Sequence, residues 1–223
     1  MALRPILIPV LFATLASTAS AQQKAPPAAA IVEDVDAKVQ GAELLEYVEA
    51  GRKIDTAGGT IVLSYLASCT RETVTGGSLV VGEKESAVTG GKVKRDTVTC
   101  DGGRLVLAEA QSSKSGAMVF REAKKRPEGR ATLPKPEITL YGASPVITLR
   151  EPADAILIER LDVSGSIITL RPKKGHADMA AEGKQLDPGG LYKAKAGGVE
   201  RVFLVDSGAK PGKEPLVARL LRL

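Results

Sequence analysis

Alternation of apolar and polar positions with period two recurs along this chain, and it predicts strands rather than helices. In Gly59-Thr60-Ile61-Val62-Leu63-Ser64-Tyr65-Leu66-Ala67-Ser68-Cys69, residues Ile61, Leu63, Tyr65, Ala67 and Cys69 fall on one face of a strand. In Asp96-Thr97-Val98-Thr99-Cys100, Val98 and Cys100 share a face, while Thr97, Thr99 and Asp101 share the other. A turn at Asp101-Gly102-Gly103 leads into Arg104-Leu105-Val106-Leu107-Ala108-Glu109-Ala110, where Leu105 and Leu107 alternate again. Residues Ala42 to Ala50 (AELLEYVEA) fit a short helix or a strand, because so few positions do not separate the two periods. Thr75-Gly76-Gly77 and Thr89-Gly90-Gly91 each precede a short β-prone run. Paired glycines suit turns that need positive φ, so both are expected to be hairpin corners. Neither carries the Lys-Ser/Thr pair of a phosphate loop or the spacing of a dinucleotide loop.

From Lys124 to Pro136 the chain reads KKRPEGRATLPKP, a boundary rich in proline and charge. Beyond it come ITLYG, PVITLR, AILIERL, SIITLRP, LYKAK, RVFLVD and LVARLLRL, seven or eight short strands. That count and spacing suit a β-sandwich. The chain is therefore expected to be all-β with two small domains, one over 33–121 and one over 137–223, joined by a linker over 122–136.

The first residues change the picture of where it works. MALRPILIPVLFATLASTASAQQ carries one positive charge, Arg4, then an apolar run from Ile6 to Leu15, and ends in small residues with Ala19 and Ala21 at the positions a signal peptidase reads. The apolar run is shorter than the roughly 20 residues that span a bilayer. A secretory signal over 1–21, cleaved before Gln22, is expected, and no cysteine follows the cut to take a lipid. Gln22 to Val32, opening QQKAPPAAA, reads as a disordered leader. No second apolar stretch is long enough to span, so no membrane span is expected in the mature chain, which is placed in the periplasm or the medium.

The formal net charge is +5, falling to +4 once Arg4 is removed, with acids and bases interleaved. The densest basic run is Arg121, Lys124, Lys125, Arg126 and Arg130, beside Pro127 and Gly129. It reads either as a contact for phosphate, anionic lipid or polyanionic glycan, or as a solvated linker. The mature chain has four Tyr, two Phe and no Trp. Without aromatic platforms or a recognisable module, nucleic-acid binding is not expected. The same poverty counts against sugar stacking.

Two family resemblances follow from particular residues. Leu186-Asp187-Pro188-Gly189-Gly190-Leu191-Tyr192 resembles the L-x-P-G-x-x-Y tyrosine corner of fibronectin type III and related immunoglobulin-like modules. It implies an immunoglobulin-like sandwich in which Tyr192 bonds back to upstream backbone and Pro188-Gly189 supply the turn. The usual core Trp is missing. The first unit is similar to the periplasmic domain of FecR-type sensors. The similarity rests on Val48-x-x-Gly51-x-x-Ile54, Gly59-Thr60-Ile61-Val62-Leu63, Ser86-Ala87-Val88 and Asp101-Gly102-Gly103-Arg104-Leu105-Val106-Leu107. It implies an envelope sensor domain. Full-length sensors of that family also carry a cytoplasmic segment and a membrane helix, which are not read here.

Candidate chemistry is sparse. Cys69 and Cys100 are the only cysteines, and an even pair in an exported chain favours a disulfide. Closing a loop of about 30 residues stabilises by roughly 3–4 kcal/mol in the chain-entropy model. A redox dithiol usually uses C-x-x-C. His176, in Lys173-Lys174-Gly175-His176, is the one histidine; a solvated turn is expected there rather than a general base or metal ligand. Ser207-Gly208-Ala209-Lys210 has Ser-Lys spacing but reads as a loop, and no G-x-S-x-G occurs. Glu33 and Asp34 lie near the leader, and nothing marks them as a catalytic pair. No catalytic residue, cofactor or metal is expected. The expectation is a non-catalytic, exported binding or scaffold protein of the bacterial envelope, accessory to a sensor or cell-wall complex. Its partner would be another envelope protein or a cell-wall glycan. An extracellular matrix or adhesion component is the alternative, and a hydrolase with an unrecognised site the third.

Overall fold

The computed structural model describes residues 27–102, 104–105, 133–165 and 167–223. The predicted signal, the basic run and most of the predicted linker lie outside them. Among the described residues the chain is nearly all β. The first unit holds β1 (Ala28–Val35), β2 (Tyr47–Glu49), β3 (Lys53–Asp55), β4 (Thr60–Tyr65), β5 (Thr70–Thr75), β6 (Ser78–Val80), β7 (Ala87–Thr89) and β8 (Lys92–Thr97). They form a five-stranded sheet in the order β2-β1-β4-β5-β8 and a three-stranded sheet in the order β3-β6-β7. Every pairing in both is antiparallel. Ile61, Leu63 and Tyr65 of β4 point into the core between the sheets, with Ala30, Val32, Val48, Ile54, Val74 and Leu79. That is the face their alternation predicts.

The second unit holds β9 (Ile138–Gly142), β10 (Val146–Thr148), β11 (Ile156–Arg160), β12 (Ile168–Leu170), β13 (His176–Asp178), β14 (Leu191–Ala196), β15 (Val199–Lys210), a single helical turn α1 (Leu216–Arg219) and β16 (Leu220–Arg222). One sheet runs β12-β11-β14-β15-β9 and the other β13-β10-β16. β9 joins β15 in parallel, and β16 joins β10 in parallel. Both sheets bury side chains in one core, including Leu140, Ile147, Ile156, Ile158, Leu170, Phe203, Val205 and Leu221.

That core does not stop at the unit boundary. Ala28 and Ile31 of β1, Leu66 after β4 and Leu105 belong to the same cluster, with Leu45, Tyr47, Val98 and Cys100 packed at its edge. β1 thus serves both units: Ala30 and Val32 face the first core, and Ile31 faces the second. Fully burying a side chain such as Ile31 or Leu66 contributes about 1.5–3 kcal/mol. The Tyr47 and Thr148 hydroxyls share a hydrogen bond of 2.8 Å across the seam, and the Arg222 guanidinium lies 4.0 Å from the Tyr47 ring centroid.

Several expectations are corrected. The leader does not extend to Val32: β1 begins at Ala28 and lies between β2 and β4, so its small residues fill an interior position. Its Ala-rich sequence hides this, because alanine carries no pattern by itself. The strand expected through Cys69 ends at Tyr65, and the chain turns so that Cys69 takes φ 53°. The strand expected to hold Val98 and Cys100 ends at Thr97. Arg104 and Leu105 sit in a helical turn, where both amides donate to the Asp101 carbonyl; the rest of that expected strand lies outside the described residues. The segment Leu216–Leu223 is a helical turn before a short strand, not one strand. Ser207–Lys210 is the end of β15, not a loop. His176 opens β13 and is half-buried rather than a solvated turn residue.

The glycine pairs are corners of another kind. β5 pairs with β8 in one sheet, while β6 pairs with β7 in the other. The two strands of one long ribbon therefore bend together from sheet to sheet at Gly76-Gly77 and Gly90-Gly91. The bends touch backbone to backbone: a Cβ on Gly77 would strike the Thr89 carbonyl, and one on Gly91 the Gly76 carbonyl. Gly76, Gly77 and Gly90 also hold φ near +70° (71°, 70° and 69°), a region that suits glycine.

Candidate functional site

The Cys69–Cys100 disulfide is formed, with Cα atoms 5.7 Å apart. It joins the turn after β4 to the chain just past β8, and both cysteines are partly buried. Val98 N–H donates to the Cys69 carbonyl at 2.8 Å, which holds the same two segments together beside the bridge.

The Leu186–Tyr192 stretch forms a closed turn ahead of β14. The Asp187 N–H donates to Tyr192 Oη at 2.9 Å, and that hydroxyl donates to the Asp187 carbonyl at 3.4 Å. Tyr192 is buried, its ring stacks on Phe203 at 5.7 Å between centroids, and Arg160 lies 5.8 Å above it. Burial pushes its phenol pKa up. Leu186 enters the large core. Gly189 after Pro188 takes φ 79°, and its N–H donates to the Val205 carbonyl at 2.9 Å. A Cβ on Gly190 would lie 2.8 Å from the Tyr192 hydroxyl, so the ring closes over a bare backbone. Arg160 also pairs with Asp162 at 2.8 Å and Asp187 at 2.7 Å, and its bond to Asp162 holds that carboxyl below the usual range. This corner binds itself.

Two buried polar clusters are also closed. In the first unit Glu72 is fully buried; it accepts from Arg95 at 3.0 Å and from the Ser86 N–H at 2.9 Å. The Ser86 and Tyr65 hydroxyls are 2.6 Å apart, and burial pushes the Tyr65 pKa up to about 12. In the second unit Arg219 reaches Asp178 at 2.7 Å, the Ser144 carbonyl at 3.0 Å and the Glu214 carbonyl at 2.8 Å. Such satisfied networks fix a core in one arrangement.

The open site is a groove along the seam between the units. It consists of three recesses of about 770, 550 and 500 Å³. The first two share Leu44, Leu45 and His176; the second and third share Arg71 and Glu214. One wall is β1 and the loop before β2, with Glu33, Asp34 and Leu44; the other is β13 and the chain before α1, with His176, Asp178, Lys213 and Glu214. Glu33 accepts from Ser64 at 2.7 Å and Arg71 at 2.9 Å, so that carboxylate is held in place. Lys174, Lys210 and Lys213 line the groove without a carboxylate partner among the described residues. Leu44 is 56 % exposed on the rim. His176 and the Glu33/Asp34 pair, read separately in the sequence, thus meet on one groove. No short motif marks it, because its walls come from segments far apart in the chain.

Among the described residues no cluster of His, Cys, Asp and Glu is arranged to hold a metal, and no helix is long and apolar enough to cross a membrane. The formed disulfide is compatible with an exported protein. In comparison with known proteins, no family model, no curated protein and no solved structure matches the chain.

Proposed function

We propose that this is an exported, non-catalytic binding protein of the bacterial envelope, periplasmic or secreted, whose site is the groove between its two β units. The single observation that carries the reading is that groove: long, open, framed by two units on a shared core, and lined by charged side chains rather than by a closed reaction centre. The disulfide and the signal-like first residues support export. The topology of the second unit, with Tyr192 on the strand after the turn, supports an immunoglobulin-like module, and the first unit is read as FecR-like. The lining favours an extended segment of another envelope protein over a glycan, since its aromatic side chains are only Tyr47 and Tyr141 among the described residues.

Self-association through strand edges is the second reading. The edge strand β8 carries Lys92, Lys94, Arg95 and Asp96, charges of the kind that block edge pairing, which favours the first reading. The test is a photoreactive residue placed at Leu44 on the groove rim, or at Leu157, an exposed position of β11, in the full chain exposed to envelope extract. One discrete adduct from position 44, absent from 157 and competed by unmodified protein, is expected. Equal labelling from both positions, or an adduct to a second copy of this chain, would contradict the proposal.

A further inference from the structure

The disulfide has a second attachment, to the other unit. Directly after Cys100, the Asp101 carboxylate accepts the Thr139 N–H of β9 at 2.9 Å. β9 is an edge of its sheet, so Asp101 takes a donor that the sheet itself leaves free. Arg104 then donates to the Pro136 carbonyl at 3.2 Å, and Leu105 is buried in the shared core. Val98 and Cys100 pack against that core from the same segment. The β8 ladder ends at Thr97, so beyond it the segment is held to its own unit by the Val98 hydrogen bond, the close packing of Gly102 under the Leu66 and Ala67 carbonyls, and the bridge. On the other side of the bridge, Cys69 holds φ 53°, a left-handed conformation that costs a residue with a Cβ. It lies three residues after Leu66, itself part of the seam.

We propose that the Cys69–Cys100 disulfide is a redox latch on the seam: reduction frees the segment after Thr97 from the first unit, so that its bond to Thr139 opens more often and the groove walls loosen, while each unit keeps its sheets. The reductant is a dithiol, whether a protein or a small molecule. One of its thiolates attacks a sulfur of the bridge, breaking the S–S bond and forming a mixed disulfide. Its second thiol resolves that intermediate. The dithiol leaves as a disulfide, and its two electrons and two protons end on Cys69 and Cys100 as thiols. Neither cysteine is fully buried, so the latch requires that a thiolate reach the bridge from the partly exposed side of the turn. Reduction relaxes Cys69 and leaves Asp101 tethered through fewer contacts. The recess walled by Asp96, Thr97, Val98 and Thr99 lies on the chain leading into Cys100, so the latch also sets one wall of the groove.

The test is amide hydrogen exchange, resolved by residue on the full folded chain, before and after treatment with dithiothreitol, with thiol alkylation to confirm reduction. Reduction is expected to speed exchange at Thr139 by tenfold or more and to leave the interior strands β5 and β14 protected. In Asp101→Ala with the bridge intact, Thr139 should already exchange at the faster rate, and reduction should add little there. Three results would overturn the proposal: a bridge that resists dithiothreitol in the folded chain, Thr139 protection unchanged after full reduction, or loss of protection throughout β5. The last would make the bridge a staple of the first unit's fold. None of these readings depends on whether the groove binds a partner.

Discussion

The Tyr47 hydroxyl lies 2.8 Å from the Thr148 hydroxyl, which joins β2 of the first unit to β10 of the second. Behind it, the Arg222 guanidinium covers the ring at 4.0 Å. The seam is therefore specified by direction as well as by apolar area. Tyr47→Phe keeps the ring under Arg222 and removes the hydroxyl that bonds Thr148, so it should cost about 0.5–1.5 kcal/mol in urea unfolding of the full chain. A neutral result would mean that Thr148 is equally well served without Tyr47.

Tyr192 carries a heavier local duty, since its hydroxyl both accepts from and donates to Asp187 within the turn. Tyr192→Phe leaves the Asp187 N–H without that acceptor in a part-buried site, and a loss of roughly 1–2 kcal/mol is expected in denaturant melts. A change near zero would remove the corner from the account of what holds this unit.

Alkaline pH offers a test of the first core. Tyr65 is fully buried, and its folded pKa is raised from the ordinary value of 10.0 to about 12. The neutral phenol is thus the form the fold favours. Its contribution is fully present below pH 10 and is lost as pH rises from 10 toward 12, where the unfolded chain releases the proton first. Stability of the native protein should fall more steeply between pH 10 and about 12 than that of Tyr65→Phe, as read from urea midpoints. Parallel curves would contradict the assignment.

The paired glycine bends make a sharper structural prediction. Gly77→Ala puts a methyl group into the opposing bend at a φ of +70°, and a loss of at least about 2 kcal/mol is expected. Gly198→Ala, in the turn between β14 and β15, meets nothing within 4 Å and should change stability by less than about 0.5 kcal/mol. Thermal melts of the two variants side by side compare the positions directly.

Much of this fold is written locally. The alternation in Thr60–Tyr65 and the strand runs from Ile138 onward give strands because their side chains meet the core on one face, a property of the segment alone. The disulfide is legible because the chain has two cysteines, which have only each other. Ala28–Val32 is not legible, since three alanines become an interior strand only when neighbours on both sides arrive. The glycine bends carry a local signal for positive φ, but which sheets they connect depends on the partner ribbon. His176 shows the same limit: a lone histidine beside two lysines reads as a solvated turn until Asp34, Leu44 and Lys213 are brought to the same groove. The groove is a tertiary product, and no spacing rule within one segment could disclose it.

The binding proposal needs the two walls of the groove to keep a fixed relation, and that rests on Ile31, Leu66 and Leu105 sharing one core with Val146, Ile147 and Leu221. Scanning calorimetry of the oxidised full chain tests this most directly. A single cooperative transition, with calorimetric and van't Hoff enthalpies equal, is predicted, because neither unit can lose its side of the shared core alone. Two separate transitions, with the second unit unchanged after the first has melted, would contradict it.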